Sequence, residues 1–434
     1  MNESSRKRQL WLAITAVVCA AGTWLYAERV LIPEQISYAA ARGMPRGHNS
    51  DLYPRWLGAR ELLLHGRDPY QFEITKEIQI GMYGRLRPPD EFGNGKNYQQ
   101  GFYYPVYVAF LLAPTLDLPF ESVRRGFTWV LLGGSVLTIV LWLRLLHWKL
   151  TPWELAATVV FTLGSMAWMQ GLFLQQMTLV VTLLITIALT LLALDWQYVA
   201  GVLLAMATIK PQQVWLVVFW LAIWTLADWR RRYRWAVSFL LAMAALCAAS
   251  EYYLPHWIGR FLQALREYRA YTGEKSVVQM LLGPWGQGIE ILAIGLMAWL
   301  LWRRRRVEAN SEEFAVMASL ALAIMVLVVP SYHPYNQALM LPAVLVMLKG
   351  RRTIWQRSGI GRGLFVITGV LVVWPWLTSL MLTLLSFILP VETVEKGSLI
   401  PIWSSLGIPV GVAATMLVWA AQRSFGTSEE ARTS

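Results

Sequence analysis

The chain is written as long apolar runs separated by short polar breaks, and the first run, Leu10 to Val30, follows the basic start SRKRQ. A run of about 20 residues spans a bilayer and exceeds the roughly 7–15 residue core of a cleaved signal peptide, so it is expected to stay as a transmembrane helix. Further apolar runs begin near Phe127, Trp153, Leu174, Val199, Val214, Trp235, Ile289, Phe314, Ala338, Leu364 and Pro401. With the first they predict about twelve spans by the length rule. Tyr104 to Pro119, YPVYVAFLLAPTLDLP, has only about 14 apolar residues between prolines and predicts a re-entrant piece or a short span.

Charge gives the runs an orientation. The clusters LRLLHWK (143–149), DWRRRYR (228–234), RRRR (303–306) and KGRR (349–352) fit one side of the membrane, and Arg6, Lys7 and Arg8 fit the same side. The positive-inside rule makes that side cytoplasmic. Both termini are then cytoplasmic in a multi-pass plasma-membrane protein, and Asp51, GLFLQQ, IKPQQ, the loop from Tyr253 to Lys275, SYHPYNQ and PVETVEKGS face out. The expected plan is one integral membrane domain over 1–434. It has a first span at 10–30 and a long outer loop at 31–125 that carries juxtamembrane helices. Core spans at 126–254, a second outer loop at 255–287, C-terminal spans at 288–421 and a cytoplasmic tail at 422–434 complete it.

Composition agrees with this all-α polytopic class: 56% of residues are hydrophobic and only 15% charged, a balance no ordinary soluble domain has. The net charge of +12 sits in the clusters just named, which orients a membrane protein and does not point to nucleic acid. Cys19 and Cys247 lie inside apolar runs as small hydrophobes, with neither disulfide nor metal spacing. Most of the 23 tryptophans fall near span ends, where aromatic belts place them, so only Trp56 in the first outer loop is a candidate sugar-stacking surface. Asp195 and Asp228 read as loop charges on the cytoplasmic side.

The outward set gathers Asp51, Lys210, Gln175, Gln176, His333, Tyr335 and Asn336. Polar side chains at membrane depth are costly and tend to mark a substrate path. Asp51 precedes LYPRWLGARELLLHG, so it also reads as the N-cap of a helix. Arg55 lies four residues on, on the same helical face, whereas Arg60 does not share it. Lys210 ends a run and is followed by Pro211; its alternative role is snorkelling to a lipid headgroup. Gln175 and Gln176 open a run where free helix amides meet an anion, or else bond between helices. Gly-rich phosphate cradles, Cys/His ligand sets and Ser/His/Asp orders are absent, so neither a nucleotide-sugar nor an ATP enzyme finds support.

The succession DLYPRWLGARELLLHGRDPY, FYYPVY with APTLDLP, GLFLQQ, TIKPQ and HPYNQ resembles glycosyltransferase family 87 over roughly the first 215 residues and again at SYHPYNQ. The family usually has Tyr-Pro-Pro where this chain has Tyr104, Pro105 and Val106, and residues 81–100 are an insert that lengthens the outer loop; both departures point to an acceptor other than that of familiar members. The resemblance implies a GT-C type membrane mannosyltransferase. Such an enzyme moves a hexose from a polyprenyl-phosphate donor to an acceptor hydroxyl on a glycan, glycolipid or protein at the outer surface, with membrane lipids around it. It aligns Asp51 with the general base and implies inversion at the anomeric carbon. It also puts Lys210, His333, Arg55, Gln175, Gln176, Tyr335 and Asn336 at the donor phosphate or sugar, with His333 a hydrogen-bonding group, a phosphate-binding imidazolium or a proton relay. No cofactor is called for; Asp117 and Glu121 leave a divalent metal open without a spacing that demands one. The rival classes are a transporter or flippase of lipid-linked glycans, whose polar residues belong at mid-bilayer, and a polymerase or ligase of such glycans.

Overall fold

The computed structural model describes residues 3–41, 43, 50–88, 99–273, 275–330, 332–357 and 359–433. Half of the 81–100 insert, at 89–98, and Ser331 of SYHPYNQ lie outside them, as do the side chains of the C-terminal tail beyond 422. The described residues are helical with no strand.

Among the described residues six helices are long and apolar enough to cross a bilayer: residues 6–41, 120–145, 229–253, 285–303, 359–385 and 391–422. A seventh results if Pro152–Leu163 and Met166–Phe173, bent by 63°, count as one span. Length and composition thus give six or seven spans among the described residues, and the count of twelve is not confirmed. Met177–Ala193, Gln197–Ala207 and Trp215–Leu226 are apolar but only 17, 11 and 12 residues long. Eleven residues rise about 16 Å, roughly half the hydrocarbon thickness. Met177–Ala193 is mostly buried, whereas the other two bury one face and leave Val199, Val202, Phe219 and Leu226 exposed, so their apolar character answers to both neighbours and surroundings. Glu312–Val328 is likewise almost wholly buried. The run expected from Ala338 is broken by its own prolines into a 3₁₀ helix, Pro334–Met340, and a nine-residue helix, Leu341–Lys349.

Membrane exposure is visible on the outer helices. Leu240 and Leu241 are 65% and 66% exposed, and Ile367 and Val370 are each 56% exposed, an apolar surface that a protein in water does not leave uncovered. Inside, the short helix Gln197–Ala207 lies against Trp229–Tyr253 at Gly201. A Cβ at Gly201 would come 2.1 Å from the Ser238 hydroxyl and the Trp235 carbonyl, so glycine sets that approach.

Contacts gather the basic clusters at one end of the bundle. Lys349 Nζ bonds the Leu146 carbonyl and the Glu312 carboxylate, and Arg304 pairs with Glu313 at 3.6 Å. Arg232 reaches the carbonyls of Arg305 and Val307, and Arg8 and Arg351 both act electrostatically on Glu154. The segment from Asp51 to Phe120 begins and ends at the other end. Trp56 Nε1 donates to the Thr115 carbonyl at 3.2 Å, and the Tyr53 and Phe120 rings meet at 4.8 Å. Between them Tyr104–Pro119 forms only a five-residue helix, Val108–Leu112, and a 3₁₀ turn, Ala113–Thr115, too short to cross.

For the elements that build the site we use α1 for Leu52–His65, α2 for Met166–Phe173, α3 for Met177–Ala193, α4 for Gln197–Ala207, α5 for Trp215–Leu226 and α6 for Trp257–Thr272.

Candidate active site

At the end of the bundle opposite the basic clusters, six segments enclose a cavity of about 550 Å³. They are the start of α1, the stretch Tyr103–Pro105, the turn between α2 and α3, the break between α4 and α5, the helix α6, and the 3₁₀ helix Pro334–Met340. Asp51, Arg55, Tyr104, Lys210, Gln213, Tyr268, Arg269, His333, Tyr335 and Asn336 all line it.

Proline explains how several of these side chains come to a cavity at all. A residue before proline is pushed out of the helical region. Lys210 precedes Pro211 and has φ −124° and ψ 80°, which ends α4 and leaves the lysine at a break within an apolar pair of helices. His333 precedes Pro334 and is extended at φ −139° and ψ 138°. Tyr104 precedes Pro105 in the same way.

Asp51 occupies the N-cap position of α1, but its carboxylate makes no capping bond. Ser50 takes over part of that task, its hydroxyl accepting from the Leu52 amide at 3.3 Å. The turn between α2 and α3 holds Asp51 twice. Its amide donates to the Leu174 carbonyl at 2.9 Å, and its Oδ2 accepts from Gln176 Nε2. Arg55 Nη1 donates to the Asp51 carbonyl at 2.6 Å, with the guanidinium 4.5 Å over the Tyr104 ring. Burial pushes the Asp51 carboxyl above its ordinary value, against the opposing pull of Arg55 and Lys210.

Lys210 is 6% exposed and held by neutral groups. Its Nζ donates to Gln176 Oε1 at 3.1 Å and to the Thr178 hydroxyl at 2.8 Å. The Tyr335 and Tyr104 rings lie 5.2 and 5.8 Å away. Burial lowers its pKa, with Arg55 adding to the effect. Gln213 donates to Asn336 Oδ1 at 2.8 Å and to Thr178 at 3.1 Å, tying the α4–α5 break to the 3₁₀ helix. Arg55 Nε and Gln213 Oε1 are buried with no hydrogen-bond partner among the described residues.

His333 stacks on Tyr335, ring centroids 5.0 Å apart and planes 14° from parallel. Burial and then the nearby Lys210 lower its pKa to about 4, so it is neutral at physiological pH. That direction favours the hydrogen-bonding role over the imidazolium one, since a second cation beside Lys210 at this depth is costly.

Two other expectations change. Gln175 lies outside the cavity lining. Its Nε2 donates to the Leu172 carbonyl at 2.9 Å and to Thr128 at 3.3 Å, while its backbone takes the left-handed φ of 48° that turns the chain into α3. Trp56 is 5% exposed and packs between Tyr53 and Phe120, so it offers no face to a sugar. Arg60 lies over Trp56, away from the cavity. Glu121 pairs with Arg124 at 2.6 Å, and no three His, Cys, Asp or Glu side chains cluster as a metal set among the described residues.

The helix α6 roofs the cavity. Phe261, Leu265, Tyr268 and Arg269 recur at helical spacing on the face that lines it. It is fastened by Arg260 to Asp68 at 2.5 Å and by the ring pair Tyr103–Tyr268 at 4.5 Å. Tyr268 and Arg269 escape a hydropathy reading because α6 is amphipathic and falls in a stretch expected only as loop. Tyr104 and Gln213 sit in the quoted FYYPVY and IKPQQ motifs beside prolines, the signal that marks Lys210 and His333 as well.

A family model for glycosyltransferase family 87 matches residues 102–330, more than half of the chain. The chain belongs to glycosyltransferase family 87. The match contains Gln176 and Lys210, while Asp51, Arg55, His333, Tyr335 and Asn336 lie outside its limits and join it through the fold. This family 87 member is an integral membrane glycosyltransferase, its helices and lipid-facing surface being those described above. The crystal structure of ArnT from Cupriavidus metallidurans bound to undecaprenyl phosphate is similar at 12% identity with a TM-score of 0.39, over 95% of this chain and 77% of that one. A search of curated protein sequences gives no significant match.

Proposed function

We propose that this GT-C type transferase moves a hexose, mannose by the family resemblance, from a polyprenyl-phosphate donor to an acceptor hydroxyl, with Asp51 as general base. The observation that carries the reading is the Asp51 carboxylate. It is turned away from the helix it could cap and opens on the same cavity as Lys210 and Arg55. A sugar hydroxyl is a poor nucleophile until its proton is removed, and a carboxylate of raised pKa suits that task. Asp51 takes the hydroxyl proton as the acceptor oxygen bonds the anomeric carbon. The bond from that carbon to the phosphate oxygen breaks, and its electron pair stays on the phosphate. Attack opposite the leaving group inverts the anomeric centre, and the proton on Asp51 passes to water.

Lys210 and Arg55 hold the charge that develops on the departing phosphate, where preformed cations act most strongly. Neutral His333 and Asn336 bond sugar hydroxyls, and Tyr104 and Tyr335 wall the ring. The convergence of the basic clusters at the far end supports a cytoplasmic side there, with both termini, and an extracytoplasmic cavity. A transporter is less well supported, because the polar residues collect at one end of the bundle and not at its middle.

The test is incubation of the purified protein with a panel of polyprenyl-phosphate sugars and an acceptor extract, following donor loss and the anomeric configuration of the product. Inverted product from one donor is expected. Retained configuration, or transfer from a nucleotide sugar alone, would overturn the reading.

A further inference from the structure

Gln176 was expected at the donor, yet it is 1% exposed and both ends of its amide are already used. Nε2 donates to Asp51 Oδ2, and Oε1 accepts from Lys210 Nζ at 3.1 Å. Only one orientation of the amide is possible, since a carboxylate can only accept and an ammonium can only donate. Gln176 therefore stands between the acid and the cation. No direct Asp51–Lys210 ion pair within 4.0 Å occurs among the described residues. The amide itself is fixed from below: the Gln176 backbone N–H donates to the Gly171 carbonyl at 2.8 Å, and the left-handed Gln175 before it sets the turn.

We propose that Gln176 is a positioning residue. It occupies one carboxylate oxygen of Asp51, leaves the other for the acceptor hydroxyl, and keeps Lys210 from collapsing onto the base. The proposal rests on Asp51 acting as base and adds how that base is aimed and kept free. Three consequences follow from the geometry. Gln176 is buried outside the cavity lining, so its loss acts only through the aim of Asp51 and the placement of Lys210. A one-ångström error in the base is felt in the chemical step. A protonated glutamate in its place has the same shape, donates to Asp51 and accepts from Lys210, whereas an ionised one repels Asp51.

The charged and titratable groups around Asp51 are Arg55 on its own helix, Tyr104 from the segment before Pro105, Lys210 from the α4–α5 break, Tyr268 and Arg269 from α6, and His333 and Tyr335 from the 3₁₀ helix. Each is the same in wild type and in the variants below, so a changed pH optimum reports the new group at 176.

The experiment measures initial rates of transfer from the polyprenyl-phosphate sugar between pH 5 and 9 for wild type, Gln176→Met and Gln176→Glu. Gln176→Met is expected to lower kcat roughly 10²-fold, a larger factor than any rise in donor KM that the freed Lys210 brings. Gln176→Glu is expected to recover much of that loss at the acid end and to have its optimum below that of wild type, because two adjacent carboxylates share one proton and lose function when both ionise. A raised donor KM at unchanged kcat in Gln176→Met, or a Gln176→Glu optimum equal to wild type, overturns the proposal. Should the Met variant not fold, the Glu variant decides alone, since its side chain fills the same space. Asp51→Asn separates the two levels: if it transfers normally, the base assignment fails; if it is inactive while the Gln176 variants behave as wild type, only the positioning role fails.

Discussion

Arg232 and Lys210 are buried to the same degree, 5% and 6% exposed, at opposite ends of one bundle, and they do opposite things with their charge. Arg232 spends its donors on backbone: Nη1 on the carbonyls of Trp224 and Arg305 at 2.8 and 2.9 Å, Nη2 on that of Val307 at 3.1 Å, with its guanidinium 4.2 Å over Trp224. It closes the loose carbonyls where helices end, a cation at the negative pole of a helix. Lys210 is held by an amide and a hydroxyl, carries no carboxylate partner within 4.0 Å among the described residues, and faces a cavity. A buried cation consumed by carbonyls stabilises a fold. One kept by neutral groups beside open space retains its field for a ligand.

The largest expected effect falls on the acid that shares the Lys210 cavity. Asp51→Asn should lower transfer about 10³-fold, within the range general bases supply. It should not lower the unfolding temperature, because an ionised carboxyl in a recessed site is costly to bury and its amide is not. Its loss of activity with a large drop in stability would mean that Asp51 is a structural residue and that the contrast with the basic end is false.

The pair itself comes next. Lys210→Met should fold and bind to a comparable detergent-stable state while losing transfer about 10²-fold, as removal of a preformed charge-stabilising group does. Arg232→Met should keep kcat per folded molecule but lose about 2 kcal/mol of stability, the order expected for hydrogen bonds to a charged group. Paired thermal unfolding and transfer assays read both. If both variants lose stability and neither loses specific activity, the two cations are equivalent.

A smaller effect is expected at His333. His333→Gln should cost about tenfold in rate, equivalent to one hydrogen bond, and leave the shape of the rate profile between pH 5 and 8 unchanged. The sign for stability follows from its lowered pKa of about 4. Between about pH 6.5 and 4 the unfolded chain binds a proton on this residue that the folded protein does not, so wild type loses stability as pH falls through that window. The variant should lose less there. An inflection in the wild-type rate near pH 6.5 that vanishes in the variant would instead restore the imidazolium.

How far these roles can be read without coordinates differs residue by residue. Asp51 is marked by the family motif, yet its cap and base readings name the same residue. They part only because Ser50 takes the Leu52 amide and Gln176 takes the carboxylate. Lys210 and His333 are marked by prolines, which act locally. Tyr268 and Arg269 reach the cavity through α6, whose placement depends on Asp68 almost two hundred residues earlier in the chain, and no local pattern carries that information. The span number is not confirmed for a related reason. Hydropathy records that α3, α4 and α5 avoid water but not whether lipid or protein replaces it, so short helices that bury one face count as spans.

The smallest effect is expected where two adjacent glutamines part company. Gln176 joins the acid to the cation, whereas Gln175 turns the chain at φ 48° and bonds Leu172 and Thr128 outside the cavity. Gln175→Gly removes those side-chain bonds, a loss of about 1 kcal/mol. It also relieves a left-handed non-glycine backbone by about 1–2 kcal/mol. The two nearly offset, so stability should move little, and transfer should stay within about twofold because the backbone path that presents Gln176 suits glycine at least as well. Single-turnover transfer and thermal unfolding of that variant measure both terms. A tenfold loss of transfer at unchanged stability would place Gln175 in contact with substrate and erase the distinction between the neighbours.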